Sequence, residues 1–382
     1  VLCYAVIESE RAYLFADAAK LDASVRGHLA SLGIEVQPYD AVYAFVSRYG
    51  AGTKVLLSES RVNYALFANL LKAGATIVES ENPTTRMKAV KNPVELENLR
   101  AAHLKDGIAM VRFMRYLKEN IGKTPMTELS AAEYLAALRR AQDGNLGLSF
   151  ETICGYGPHG AIVHYSATPE SNVPLEPHGL LLVDSGGQYY EGTTDITRTF
   201  ALGPLTEEEK RHFAMVLSSM LHLAAARFPS GVRGANLDVL ARMPFWEQGV
   251  DYKHGTGHGV GYLLNVHEGP NNFRWQNTAS SAVLEAGMVT TDEPGIYIAG
   301  KYGIRLENEL VCCKAEKNEY GQFLCFVPLT CVPIDLDAVD PNLLSADDRM
   351  RLNAYHAMVY ETLAPHLEPE ERTWLLGYTR AI

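Results

Sequence analysis

No stretch of this 382-residue chain approaches the roughly 18–20 consecutive apolar residues that span a bilayer, so a membrane protein is not expected. Basic charge is in deficit: 34 Lys and Arg against 45 Asp and Glu leave a formal net charge of −11. Binding along a phosphate backbone needs a basic footprint, so no nucleic-acid partner is expected. The opening residues, Val-Leu-Cys-Tyr-Ala-Val-Ile, lack a basic n-region and a cleavage site and run at once into Glu8 and Glu10; they do not read as a secretory signal. An initiator Met is also lacking, so a processed or trimmed start is expected. Cysteine is sparse. Cys3, Cys154, Cys312, Cys313, Cys325 and Cys331 form no C-x-x-C pair, and several sit in apolar stretches. Reduced structural thiols in a cytoplasmic protein are the expectation. There is no Gly-rich phosphate loop, low-complexity tract or fixed-period repeat.

What is present is an ordinary globular balance, 47% hydrophobic and 21% charged, which excludes disorder as a whole-chain description. The length exceeds the roughly 100–200 residues of one domain, so at least two domains are expected. Strand-like runs at Val1–Ile7, Tyr13–Ala16, Ile34–Pro38, Val55–Leu57 and Ala75–Val78 alternate with helical patterns at Leu21–Leu32 and Val62–Leu71. This predicts a small α/β domain with a helix-covered sheet. Glu81–Thr85 reads as a turn-rich joint. Asn92-Pro93-Val94-Glu95 then opens a helix running to about Glu119, with Pro suited to the first turn and Glu95 to the N-terminal dipole. A second helix is expected over Ala131–Gln142, glycine-punctuated strands from Phe150, a helix over Thr206–Ala226, and helix again from Leu344.

Five residues carry candidate chemistry. Asp184 closes the apolar run Leu180–Val183, and a carboxylate there must be paired or liganded, because an isolated buried charge is costly. The chain turns through Gly186-Gly187 and Gly192 and returns as Thr193–Thr199, so adjacent strands could bring Asp195 beside Asp184. Two such carboxylates repel unless they share a proton or a cation. His258 lies in His254-Gly-Thr-Gly-His258-Gly-Val-Gly. The zinc-helix pattern H-E-x-x-H fails there, since Gly255 takes the Glu position and each glycine costs a helix about 1 kcal/mol. The pattern G-x-G-x-x-G fails at Val260. Glu293 ends a strand before Pro294-Gly295, and Glu307 shares a period-two face with Arg305 and Glu309. Taken alone, that last segment reads equally well as a solvated strand face. Together, four carboxylates and an imidazole form a set suited to hard or borderline divalent ions, and two such ions would offset four negative charges.

At these motifs the sequence resembles the pita-bread metallopeptidases, which include methionine aminopeptidases, prolidases and Xaa-Pro aminopeptidases, and is most similar to the cytosolic Xaa-Pro aminopeptidases. The resemblance rests on Leu148-Ser-Phe, Gly160-Ala-Ile-Val-His164-Tyr165, Val183-Asp-Ser-Gly-Gly-Gln-Tyr and Gly192-Thr-Thr-Asp195-Ile-Thr-Arg-Thr. It continues through Asp251-Tyr-Lys-His-Gly-Thr-Gly-His258, Leu264-Asn-Val-His267-Glu-Gly-Pro, Thr291-Asp-Glu293-Pro-Gly and Gly303-Ile-Arg-Leu-Glu307-Asn. It implies an α+β, pita-bread catalytic domain at 87–340, a partial creatinase-type N-terminal α/β domain at 1–86, and a helical C-terminal extension at 341–382. Cytosolic members carry two domains ahead of the catalytic one, and residues 1–86 resemble only part of the second.

Carried over by position, the resemblance makes Asp184 a ligand of one metal, Asp195 and Glu307 bridging ligands, and His258 and Glu293 the remaining ligands of the other. It makes His164, His254 and His267 substrate-site histidines, with Tyr297 and Arg305 lining the site beside them. Glu293 is the candidate proton shuttle, His254 and His267 are candidates for substrate carbonyl or proton contacts, and with His164 and Arg305 these form the candidate catalytic set. The implied cofactor is a pair of Mn(II) ions, with Co(II) or Zn(II) also accommodated. The implied reaction is release of the first residue of a peptide with proline second, by attack of a hydroxide held between the metals. A homodimer is expected. Prolidase activity on Xaa-Pro dipeptides alone is the near alternative, and a non-catalytic binding protein of the same fold is another. Metal-free creatinase-type hydrolysis is disfavoured because all five ligand positions are filled.

Overall fold

The computed structural model describes residues 2–276 and 281–382, and these form two compact units, 1–85 and 86–382. Val1, the first residue of the first expected strand, lies outside the described residues.

In the first unit, Cys3–Ile7, Ala12–Ala16 and Ile34–Pro38 form a three-stranded sheet, the last two strands parallel. Lys54–Leu57 and Thr76–Glu79 pair separately. The single sheet expected from the alternation is thus two. The helices Ala23–Ser31 and Tyr64–Ala73 fall where the patterns put them, and Gly74 ends the second in the left-handed region. A short helix at Ala41–Val46 was not expected. It is one turn and a half long, too brief to show a period, and buries Val42 and Val46 against Tyr13, Phe15, Leu66 and Leu70. Part of the expected joint is also helical, since Pro83 opens a helix to Ala89. Pro at a first helical position costs nothing there.

The second unit is organised around strands buried on both faces. Leu180–Ser185 is flanked antiparallel by Ile153–Tyr156 and Ile196–Ala201. Period-two alternation divides its side chains. Leu181 and Val183 pack, with Ile196 and Phe200, against Met110, Phe113, Met114 and Leu117 of the long helix Pro93–Asn120. Leu182 and Asp184 therefore point the other way. A second sheet runs Arg227–Pro229, Gly321–Pro328, Asn308–Asn318, Val289–Asp292. The helices Glu207–Ala224 and Ala346–Leu363 close the largest core. Asn92 caps the long helix by accepting from the Val94 and Glu95 N–H groups, and Glu95 reaches back to Asn92 N–H. The helix Gly234–Trp246 was not expected, because glycine at its start and Pro244 within it both argue against helix from sequence. All six cysteines are free thiols, and no helix among the described residues is long and apolar enough to cross a membrane.

His356 on the helix Ala346–Leu363 is fully buried, and its Nε2 accepts from Ile334 N–H at 3.0 Å. Burial, with Arg198 and Arg380 nearby, lowers its pKa to about 3. In the unfolded chain the ring titrates near the ordinary value of about 6.5. Its contribution to stability is therefore complete above about pH 6.5 and is lost as pH falls toward 3, at about 1.4 kcal/mol per pH unit while only the unfolded ring is protonated. His356→Gln keeps an acceptor for Ile334 without a titrating group. Urea midpoints measured from pH 7 to 4 should fall less steeply for this variant than for the parent chain.

Candidate metal centre

The two buried sheets deliver the acidic residues to one cleft of about 690 Å³, lined by Asp184, Asp195, His258, Glu293 and Glu307 together with His164, His254, His267 and Arg305. Asp184 is at the end of its strand, directly opposite Thr197, while Asp195 immediately precedes the neighbouring strand. Glu293 follows Val289–Asp292, and Glu307 lies between Tyr302–Arg305 and Asn308–Asn318. Ligand atoms of Asp195, His258 and Glu307 all lie within 4.8 Å of one another. His258 Nε2 is 3.4 Å from Asp195 Oδ2 and 3.7 Å from Glu293 Oε1. Arg305, Glu307 and Glu309 are fully buried, which rules out the solvated-face reading of that segment.

The motif glycines have a steric reason. A Cβ on Gly257 would collide with the Thr291 carbonyl, and one on Gly259 with the Glu268 carbonyl. Only glycine lets the His258 segment lie flat between its neighbours. His258 is then held by its own N–H, which donates to Thr291 Oγ1 at 3.0 Å, and by Nδ1 at 3.1 Å from the Gly259 carbonyl. That leaves Nε2 aimed at the carboxylates.

Crowding shapes the titration of the set. Burial pushes Asp195 up to about 7, with the Asp184 and Glu293 charges adding to it and the bond to His258 opposing. Burial likewise raises Glu293, and it raises Glu307 well above the usual carboxylate range, with Asp195, Glu293 and Asp184 adding repulsion. Burial opposes charge on His258, but the Asp195 and Glu293 carboxylates raise its pKa to about 9. Asp184 Oδ1 is buried without a hydrogen-bond partner. Such a set, with an orphaned carboxylate oxygen and only Arg305 and His258 as countercharge, fits divalent cations.

Second-rank contacts hold the carboxylates. Thr197 Oγ1 donates to Glu307 at 2.7 Å, Asp195 N–H to Glu309 Oε1 at 2.8 Å, and Arg305 Nη2 to Asp184 Oδ2 at 2.5 Å. Behind Glu309 lies His103, fully buried, with Nε2 3.3 Å from the Glu309 carboxylate; burial opposes its charge but Glu309 raises its pKa. Arg305 also donates to Tyr297 Oη at 2.8 Å, and Tyr297 Oη is 2.8 Å from His254 Nε2. His254 Nδ1 is 2.7 Å from the Gly255 carbonyl, so it carries the proton and Nε2 accepts from Tyr297. Burial lowers His254 to about 4, and both its nitrogens are engaged. His254 thus lines the cleft with both ring nitrogens held by protein groups. His164 and His267, in contrast, line the cleft with no hydrogen-bond partner among the described residues, and the His267 ring sits edge-on to His258 at 4.1 Å.

Two features escaped the sequence reading. Glu128, at the start of the helix Glu128–Arg140, is wholly buried and accepts from Tyr156 N–H at 2.8 Å, His159 Nδ1 at 2.9 Å and Tyr165 Oη at 2.9 Å. It thereby pins the turn that carries His164. Asp238 and Arg242, paired at 2.8 Å and fully buried, hold the carbonyl of His254 through Arg242 Nη2 at 2.7 Å. Nothing local in sequence marks Glu128. The i,i+4 spacing of Asp238 and Arg242 was the available signal, hidden because their helix was not recognised.

The sequence profile of metallopeptidase family M24 matches residues 97–314, that of the creatinase/prolidase N-terminal domain residues 1–95, and that of the M24 C-terminal region residues 322–382. A probable Xaa-Pro aminopeptidase P of Laccaria bicolor is 38% identical over 384 residues, 97% of this chain and 59% of that protein. Aminopeptidase P2 of Arabidopsis thaliana is also 38% identical, over 99% of this chain and 58% of its own length. The X-prolyl aminopeptidase of Caenorhabditis elegans, described as a cytosolic enzyme with a di-nuclear active site, superposes with a TM-score of 0.92 at 34% identity, covering 100% of this chain and 63% of that one. The chain thus spans about six-tenths of the length of the relatives it matches. The second unit has the pita-bread fold, and the chain belongs to metallopeptidase family M24.

Proposed function

We propose that this chain carries the catalytic centre of a dinuclear metal-dependent Xaa-Pro aminopeptidase, which releases the first residue of peptides with proline second. The observation that carries this reading is the convergence of three buried carboxylates, the half-buried Glu293 and His258 in one cleft beside two unengaged histidines. Asp184 would hold one ion, Asp195 and Glu307 would bridge, and His258 and Glu293 would complete the second. Oxygen and imidazole donors suit Mn(II), with Co(II) or Zn(II) as substitutes. Bound there, such ions lower the pKa of water and polarise a carbonyl. Glu293 carries the proton from the attacking water to the departing proline nitrogen, which must be protonated to leave a tertiary amide. His164 and His267 face the substrate and hold the scissile or neighbouring carbonyl. His254, Tyr297 and Arg305 form a chain that orients Asp184. The acidic floor holds the free α-amino group, which fixes the cut after the first residue.

The names of the Laccaria, Arabidopsis and C. elegans relatives support the aminopeptidase reading over prolidase, and the filled ligand set supports catalysis over mere binding. We further propose a division into an N-terminal domain at 1–86, a catalytic domain at 87–340 and a helical extension at 341–382. The profile matches support it, although the C-terminal profile begins earlier, at 322. A cytoplasmic location is supported by the free thiols and by the description of the C. elegans relative. A homodimer is supported by exposed Val239, Met243 and Trp246, which share one face of the helix Gly234–Trp246, with exposed Trp275 stacked edge-on to Trp246 at 6.0 Å.

Manganese-loaded protein should release the first residue from an Xaa-Pro-Yaa tripeptide at least as fast as it splits the Xaa-Pro dipeptide. Cleavage of the dipeptide alone would make it a prolidase. Asp195→Asn should lose bound metal and more than about 100-fold in activity, since even outer contacts of metal ligands are worth 10–100-fold. Circular dichroism should show the fold retained. Full activity in that variant would contradict the two-metal site.

A further inference from the structure

Leu264 is the only residue besides glycine with a positive φ, 76°, among the described residues. That conformation is disfavoured for a bulky side chain. Such conformations persist where the surrounding structure holds them and cluster at functional sites, and the Leu264 side chain is 67% exposed. Its backbone is secured from elsewhere: its N–H donates to Gln188 Oε1 at 3.2 Å, and Gly261 N–H reaches the neighbouring Asn265 carbonyl at 2.8 Å. The fold therefore gains no core packing from this leucine and would be relieved by glycine. Its side chain instead lines the cleft, three residues before His267.

Depth within the cleft gives this position a meaning. Glu307, Asp195 and Asp184 form the buried floor, at 1%, 4% and 8% exposure, while Glu293 and His258 are half-buried. His164 and His267 are exposed, and Leu264 lies with them on the open side. A peptide cut at its first bond must place its amino end at the floor. Everything beyond the proline must then leave past the exposed residues.

We infer that Leu264 is a specificity-determining residue, held in a strained conformation so that its side chain meets an apolar third residue of the peptide substrate. This rests on the aminopeptidase reading above. The inference selects among peptides already carrying proline second: those with a large apolar residue after the proline are favoured over those with a small one.

The test compares kcat/KM for Xaa-Pro-Leu and Xaa-Pro-Ala tripeptides in the manganese-loaded parent chain, in Leu264→Gly and in Leu264→Asn. Both replacements tolerate positive φ, so failure to fold is guarded against twice. The parent chain should favour the leucine peptide about 5- to 10-fold, the worth of partial burial of a few methylenes. In both variants the ratio should fall below about 2, and glycine should raise the thermal midpoint. A purely structural role would lower both rates together and leave the ratio intact, and that result would overturn the inference. A parent chain that shows no preference would overturn it equally. Failure of the parent chain to cleave any tripeptide, with dipeptide cleavage retained, would instead overturn the aminopeptidase reading, and the inference would fall with it.

Discussion

Everything in the second unit is arranged around the mutual repulsion of four carboxylates held in one largely buried cleft. Burial and the neighbouring carboxylates together move Asp195 up to about 7 and Glu307 well above the usual range. Protein groups relieve only part of it. Arg305 pairs with Asp184, His258 lies between Asp195 and Glu293, and Thr197 donates to Glu307. Two divalent cations, as proposed above, would complete the balance. The acidic site is thus a statement about what it is built to hold.

The fold supplies the rigidity that such a site demands. A strand buried on both faces carries Asp184, and another begins directly after Asp195, so neither can move away without disrupting a packed core. Behind them stands a second tier, with Glu309 on the Asp195 N–H, His103 on Glu309, and Arg242 on the His254 carbonyl. Glu128 does the same for the turn that carries His164. The glycines around His258 permit the close backbone approach that places Nε2 among the carboxylates. Metal ligands depend on outer contacts of this kind for their orientation.

The acidic residues and His258 that meet in the cleft stood out in sequence partly because their chemistry is local. A carboxylate ending an apolar run, a histidine among glycines and a Glu before Pro-Gly each break a pattern that burial would otherwise impose. The long helices were legible through their caps and period. The short helix Ala41–Val46 was not, because six residues show no period, and the helix Gly234–Trp246 was hidden by Gly234 and Pro244, whose local preferences its tertiary packing overrides. The partners of His254 were also out of reach, since its engagement by Tyr297 and the Gly255 carbonyl is a matter of three-dimensional geometry. Glu128 shows the same limit, since its partners lie 28 to 37 residues away.

The central claim is that the cleft holds two divalent ions. Its most direct test is calorimetric titration of chelator-treated protein with Mn(II), with metal analysis of the dialysed complex. Two ions per chain are predicted, with both lost or severely weakened when a bridging carboxylate is neutralised. Saturation at one ion, or no binding above that of a surface-acidic control protein, would contradict the account.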